Sequence, residues 1–302
     1  MWKPRILHYA LLLLTWAADF WSTSSAFLTS PNARRHLTFT SSARHAAVVP
    51  GDTVLVVGGT GGVGQLVTQK LLNSDFKVRV TSRNTAQARE ILGTDAVDVV
   101  PLDLLQGSSK QLENALQDVA GVVISVGTTA FPTMKWRGGN TPQAIDADAV
   151  TKLVKAATQQ PSMKKIVLIT SVGVYRTDEM PFMILNLFGV LDAKRTGEDA
   201  LKKAATASNV DYVIVRPGRL IGGPFTNYDV ARLLQIEGGA ENGVDVEKGD
   251  ALLGDCKRDA CAESIVQALQ QDAAKNIEFS IVSNEKAALT DNEWQGVFTS
   301  LS

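Results

Sequence analysis

A doubly wound α/β fold, with helices on both faces of a parallel sheet, is the class this sequence predicts. Three observations carry the prediction. From residue 51 onward, short apolar runs alternate with amphipathic stretches. The runs are apolar throughout rather than every second residue, the pattern of strands buried on both faces. The first run opens onto a glycine-rich turn that leads directly into a helical pattern.

The strand candidates are TVLVVG (53–58), KVRVTS (77–82), VDVVPL (97–102), GVVISV (121–126), KIVLIT (165–170), DYVIVR (211–216) and EFSIVS (278–283). Between them lie helical stretches such as GVGQLVTQKLLNS and ADAVTKLVKAATQQ. Repeated βα units with short links read as one parallel sheet. After Pro217 the pattern loosens around Gly222, Gly223, Gly238, Gly239 and Gly243. A small C-terminal, substrate-side lobe on the same extended domain is expected there. No internal repeat or low-complexity segment interrupts the series.

The domain is expected over 49–302, because the first 48 residues read as an address. Lys3 and Arg5, an apolar stretch near Ala10–Ala18 and the small residues Ser24, Ser25 and Ala26 follow the order of a signal peptide over 1–26. The apolar run is too short for a confident membrane span. Residues 27–48 are rich in Ser and Arg and contain no Asp or Glu, which is transit-peptide composition. The tandem resembles the bipartite presequence of proteins sent to complex plastids, as in diatoms, and there the aromatic residue after cleavage, here Phe27, matters for entry. A plastid stroma location follows from that resemblance. Simple secretion followed by a linker is the other reading.

Composition narrows the chemistry. The chain of 302 residues is 45% hydrophobic and 20% charged, ordinary for a globular protein. Removing residues 1–48 leaves 25 basic and 30 acidic side chains, a net charge near −5, which disfavours nucleic acid as a partner. Cys256 and Cys261 are too few for a disulfide framework and lack two further ligands for zinc, so packed or surface thiols are expected and no metal. His8, His36 and His45 all precede residue 50. Without that segment no histidine remains for a Ser-His-Asp triad or a His-based metal site.

The glycine-rich turn is the strongest motif. In VLVVGGTGGVGQLV, Gly59, Gly61 and Gly64 satisfy G-x-G-x-x-G, and Gly58, Gly61 and Gly64 satisfy G-x-x-G-x-x-G. Between a buried strand and a helix, such glycines permit a tight turn and close backbone approach, and the helix N-terminus presents N–H groups to a pyrophosphate. Gly58, Gly59, Thr60, Gly61, Gly62, Val63 and Gly64 are therefore the expected dinucleotide cradle. An NAD site places an acid about twenty residues on, at the end of the second strand. VTSRN (80–84) has none and offers Ser82 and Arg83 instead. A guanidinium fork suits a 2′-phosphate, so NADP(H) is favoured over NAD(H).

GGTGGVG, SRN, PLDL, ITSVGV, FGVLDAKRTGE and VIVRPGRL, in that order, resemble the atypical short-chain dehydrogenases, in particular the NmrA-like NAD(P)-binding group of plastids and cyanobacteria. The resemblance covers about 52–300 and implies a Rossmann sheet. It assigns Asp103 in PLDL to the adenine side, with a loop cap as the equal alternative, and Arg216 with Pro217 and Gly218 to the pocket rim, with a structural ion pair as the alternative for Arg216. Catalytic members pair a tyrosine with a lysine one helical turn later and place a serine at the preceding strand end. Lys194 and Ser171 match the lysine and serine, which makes Lys194 a ribose ligand, with a solvated lysine on a charge-rich helix as the alternative; Val190 stands where the tyrosine would be, and it neither gives nor takes a proton. Tyr175 and Tyr228 are the substitute donors in reach of the same region, each with a packing role as the alternative. Trp136, in the long loop 127–142, is placed either as a lid or as a recognition residue. The group contains reductases and also dinucleotide-binding assembly factors, tethers and regulators. Two functions remain open: a plastid NADP(H)-dependent oxidoreductase acting on a small molecule, and a non-catalytic NADP(H)-dependent scaffold or redox-linked regulator with a protein partner.

Overall fold

The computed structural model describes residues 47–223 and 242–302. His8, Phe27, His36, His45 and Tyr228 lie outside the described residues, as does almost all of the segment read as an address. The folded unit reaches back past residue 49: Val48 is fully buried in the core and its N–H donates to Leu269 O at 3.2 Å.

Strands β1 (Thr53–Val57), β2 (Lys77–Ser82), β3 (Val97–Pro101), β4 (Val119–Ile124), β5 (Lys165–Ile169), β6 (Asp211–Pro217) and β10 (Ile277–Ala287) each coincide with one of the seven apolar runs. They pair in parallel, and the sheet is ordered β3-β2-β1-β4-β5-β6-β10-β8. β8 (Asn242–Lys248) adds an antiparallel edge beside β10. The short parallel pair β7 (Arg219–Ile221) and β9 (Asp255–Lys257) stands outside the sheet.

Burial on both faces explains why the runs lack alternation. Val54 and Val56 point into one core and Leu55 and Val57 into the other. The first core is closed by α1 (Gly62–Asn73), α2 (Thr85–Leu92), α7 (Arg258–Gln270) and α8 (Asp291–Leu301), through residues such as Val67, Ala88, Ile265 and Phe298. The second is closed by α3 (Ser109–Leu116), α4 (Val150–Ala157) and α6 (Val190–Ser208), through Leu112, Leu153 and Leu201. A π-helical turn, Gln143–Ala149, runs directly into α4, and a single turn α5 (Phe182–Leu185) precedes α6. Cys256 and Cys261 are buried free thiols. Hydrogen bonding with Cys256 and burial push the Cys261 thiol well up, which keeps it in its unreactive form.

Charges also sit inside this packing. Lys165, at the start of β5, is 1% exposed and donates to Ala268 O and Gln271 O, each at 2.8 Å, at the end of α7. Burial lowers its pKa from 10.5 to about 8, against the opposing pull of Asp211 and Asp272. A neutral amine still has two N–H groups, enough for both carbonyls. Between pH 8 and 10.5 the unfolded chain holds this proton more often than the folded one, so its contribution to stability rises with pH across that window. Urea unfolding at both ends of the window is expected to show wild type gaining on Lys165→Met by up to about 3 kcal/mol. A constant difference would mean that the amine does not titrate there.

Candidate functional site

The strand order reverses at β1, which lies between β2 and β4, and in open α/β sheets ligands bind in the crevice at the carboxyl ends of strands around such a point. Three loops converge there: the glycine turn after β1, loop 125–142 after β4 and loop 170–181 after β5.

The glycine turn has the shape a pyrophosphate needs. Gly58 adopts φ +87°, and a Cβ there would lie 2.5 Å from Ser125 O. A Cβ on Gly64 would lie 2.1 Å from Gly58 O, so helix and turn touch backbone to backbone. Gly61 N–H closes the turn on Gly58 O at 2.9 Å, and Gln65 Nε2 holds Thr60 O at 2.9 Å. No side chain caps α1, and no acid lies in its first turn. Its N–H groups and positive dipole end therefore face the crevice uncompensated, and an anion suits them.

At the end of β2, Ser82 is spent on its own turn: its hydroxyl donates to Asn84 O at 2.9 Å and accepts Asn84 N–H at 3.1 Å. Asn84 in turn caps α2 through Gln87 N–H. Arg83 between them is exposed. Asp103 caps its own loop, with Oδ1 accepting from Leu105 N–H at 2.8 Å and Gln106 N–H at 3.3 Å.

Lys194 is drawn to the crevice by an acid that the sequence reading missed. Its Nζ lies 2.6 Å from Asp146 Oδ1, at the end of β4 and against Gly127. The Asp146 carboxylate is 2% exposed, and its other oxygen accepts from Thr128 N–H at 3.1 Å and Thr128 Oγ1 at 2.5 Å. One ammonium proton is thus committed, and two remain for ligand oxygens. Ser171, half-buried just beyond β5, donates its hydroxyl to Val172 O at 2.9 Å.

Val190, one turn before Lys194, is 3% exposed and packs with Val172, Val174, Phe182 and Leu191. The place of the missing phenol is a hydrophobic cluster. Tyr175 does not fill the gap. Its hydroxyl accepts from Lys202 Nζ at 3.1 Å, and Lys202 lies two turns, about 12 Å, along α6 from Lys194. Val190, Lys194, Glu198 and Lys202 thus form one stripe at four-residue spacing, and each rung meets a different partner.

The third rung decides between the two readings of Arg216. It is 1% exposed and forms the structural ion pair, not a pocket rim. Its Nε and Nη2 donate to the two Glu198 oxygens at 3.0 and 2.7 Å, and Nη2 also pairs with Glu278. Thr170 Oγ1 donates to Glu198 at 2.5 Å. Burial alone would raise the Glu278 pKa, but the hydrogen bond from Lys202 and the charge of Arg216 bring it below the usual carboxylate range. Trp136 donates to Thr129 Oγ1 at 3.1 Å and meets Phe188 edge-on at 6.0 Å, so it ties loop 127–142 to the segment before α6.

Comparison with known proteins bears on the family and the fold. A family described as NAD(P)H-binding matches residues 58–272. An uncharacterised chloroplastic protein of Arabidopsis thaliana is 29% identical over 288 residues, covering 92% of this chain and 94% of that protein. Protein TIC 62, chloroplastic, of Oryza sativa is 31% identical over 182 residues, 55% of this chain, which spans only 35% of that protein. An NAD-dependent epimerase/dehydratase from Bacillus halodurans superposes with a TM-score of 0.62 at 22% identity, covering 83% of this chain and 100% of that one. A short-chain dehydrogenase/reductase from Veillonella parvula, solved with NADP, gives a TM-score of 0.54 at 14% identity, covering 80% and 97%. Both structures share the fold. Among the described residues, no helix is long and apolar enough to cross a membrane.

Proposed function

Because this chain belongs to the NAD(P)H-binding family, we propose that it is a plastid protein that binds NADP(H) in preference to NAD(H) and serves as an oxidoreductase of the atypical short-chain dehydrogenase kind without the usual tyrosine. The observation that carries the reading is Lys194, held by buried Asp146 against Gly127 just beyond β4, with two N–H groups to spare. A bound nicotinamide would supply the hydride, and the Lys194 ammonium, standing in for the missing phenol, would supply the balancing proton. Lys194 holds the ribose hydroxyls, Asp146 positions Lys194, and Ser171 orients a substrate oxygen once its hydroxyl turns from Val172 O. The NADP preference rests on the absence of an acid at 80–84 and on exposed Arg83. The plastid assignment rests on the chloroplastic relatives and on the composition of residues 1–48.

A second reading, an NADP(H)-dependent scaffold or regulator that does no chemistry, draws on two facts. The donor position is a buried valine, and the Tyr175 hydroxyl is held by Lys202. Titration of the full chain with NADPH and NADH tests the shared part. NADPH is expected to bind at least tenfold tighter. Arg83→Ala should weaken NADPH about tenfold and leave NADH unchanged, the loss of a charge-assisted contact at an exposed site. Lys194→Ala should weaken both. Equal affinities for the two nucleotides, unmoved by Arg83→Ala, would sink the NADP preference.

A further inference from the structure

Loop 127–142 is joined to the α6 side of the crevice twice, and the two joints start from consecutive residues of the loop. The inner joint runs through Thr128, whose N–H and hydroxyl hold one Asp146 oxygen while the other oxygen pairs with Lys194. The outer joint starts at Thr129. Its Oγ1 donates to Phe131 O at 2.8 Å and accepts from Trp136 Nε1 at 3.1 Å. Phe131 and Trp136 then meet Phe188 edge-on, with ring centres 6.1 and 6.0 Å away. Edge-to-face pairs at that spacing attract beyond the area they bury.

Phe188 is fastened to the helix that carries Lys194. Asn186 Oδ1 accepts from Leu191 N–H at 2.9 Å and Asp192 N–H at 3.2 Å, and its Nδ2 donates to Asp192 Oδ2 at 2.8 Å. These bonds lock the turn 186–189 onto the first turn of α6. Gly189 completes it at φ +73°, with nothing within 4 Å of a Cβ, so backbone conformation and not space calls for glycine there. The Phe188 ring is 48% exposed and stands outside the buried cluster of Val172, Val174, Phe182 and Val190. What it gains, it gains from the loop.

On the loop side, Lys194 Nζ lies against Gly127, 2.8 Å from where a Cβ would stand. Gly127, Thr128 and Thr129 are consecutive and linked by planar peptides, so a shift at Thr129 reaches both the Asp146 contact and the wall behind Nζ. We propose that Phe188 and Trp136 are positioning residues for Lys194: their edge contact holds Thr129, and through Thr128 and Asp146 it sets where the ammonium points. This assignment rests on the dinucleotide reading, since the group that Lys194 then meets is the nicotinamide ribose. By reciprocity, a nucleotide held by Lys194 strengthens the aromatic contact.

The test titrates the full chain with NADPH and with adenosine 2′,5′-bisphosphate, which has the adenine half and the 2′-phosphate but no nicotinamide ribose for Lys194 to hold. Phe188→Ala is expected to weaken NADPH about fivefold or more, the low end of ordinary coupling between sites, and to leave the bisphosphate within about twofold. Phe188→Tyr keeps the edge contact and should bring NADPH back to within about twofold of wild type. Thr129→Val, which removes the Trp136 acceptor and leaves Phe188 in place, should repeat the NADPH-selective loss. In a Lys194→Ala chain, adding Phe188→Ala should cost nothing further, because residues that act through one another are not additive. Unchanged NADPH affinity in Phe188→Ala and Thr129→Val overturns the proposal. So does an equal loss for both ligands, which would make the contact a general support of the fold, and so does a Phe188 effect that persists without Lys194. Wild type that binds neither ligand overturns the dinucleotide reading and this assignment with it, whereas binding of both with no Phe188 effect overturns the assignment alone.

Discussion

Arg216→Ala is expected to cost about 3–5 kcal/mol of stability, read as a fall in the urea midpoint, because it strands a buried charge. Glu198 is fully buried, and without the guanidinium it keeps only the Thr170 hydroxyl. Glu278, a third exposed, retains Lys202 and adds little to the loss. The opposite sign is expected when both charges go together. Arg216→Met with Glu198→Leu should recover most of the loss, since apolar side chains of similar volume often match or exceed a buried ion pair. If the single change cost less than about 1 kcal/mol, water would have to reach Glu198, contrary to its burial.

Gly64→Ala is expected to abolish dinucleotide binding, by about a hundredfold or more, and to leave the chain folded. The new methyl would meet Gly58 O at 2.1 Å and Gly59 Cα at 2.8 Å, so the start of α1 must back away from the turn. Two charge-assisted contacts from the helix N-terminus to phosphate account for a loss of that size. The rest of α1 stays anchored by Val67 and Leu71 in the core, and overpacking at one end costs about 1–3 kcal/mol. Gly61→Ala is the control: its Cβ comes no nearer than 3.2 Å to Gly58 O, and a milder loss is expected. NADPH titration with circular dichroism on both variants separates the cases. Equal losses at Gly61 and Gly64 would point to loop entropy rather than to contact between helix and turn.

The parts of the structure legible in the sequence are those encoded locally. Seven strands announced themselves because burial on both faces writes an unbroken apolar run into a few residues. The glycine cradle did so because its turn and its helix are contiguous. β8 did not, since NGVDVEK lies at the sheet edge, half polar, and its partner β10 is more than thirty residues away. Asp146 was hidden for a similar reason. Asp146 and Asp148 are equivalent by type, and only the packing of the π-helical turn against α6, 48 residues later, turns the first toward Lys194. Arg216 and Tyr175 carried residue types that suit an active site, but their partners on α6 and β10 are set by tertiary geometry. The resemblance named positions, and tertiary packing set the environment of each.

The α6 stripe also limits what one substitution can restore. Val190 is not an empty seat awaiting a phenol: Phe182, Val172 and Val174 close over it. A tyrosine placed there would collide with packed neighbours before it met any substrate, and overpacking of that kind costs about 1–3 kcal/mol. A designer who wants a phenol beside Lys194 must therefore trim the cluster in the same step.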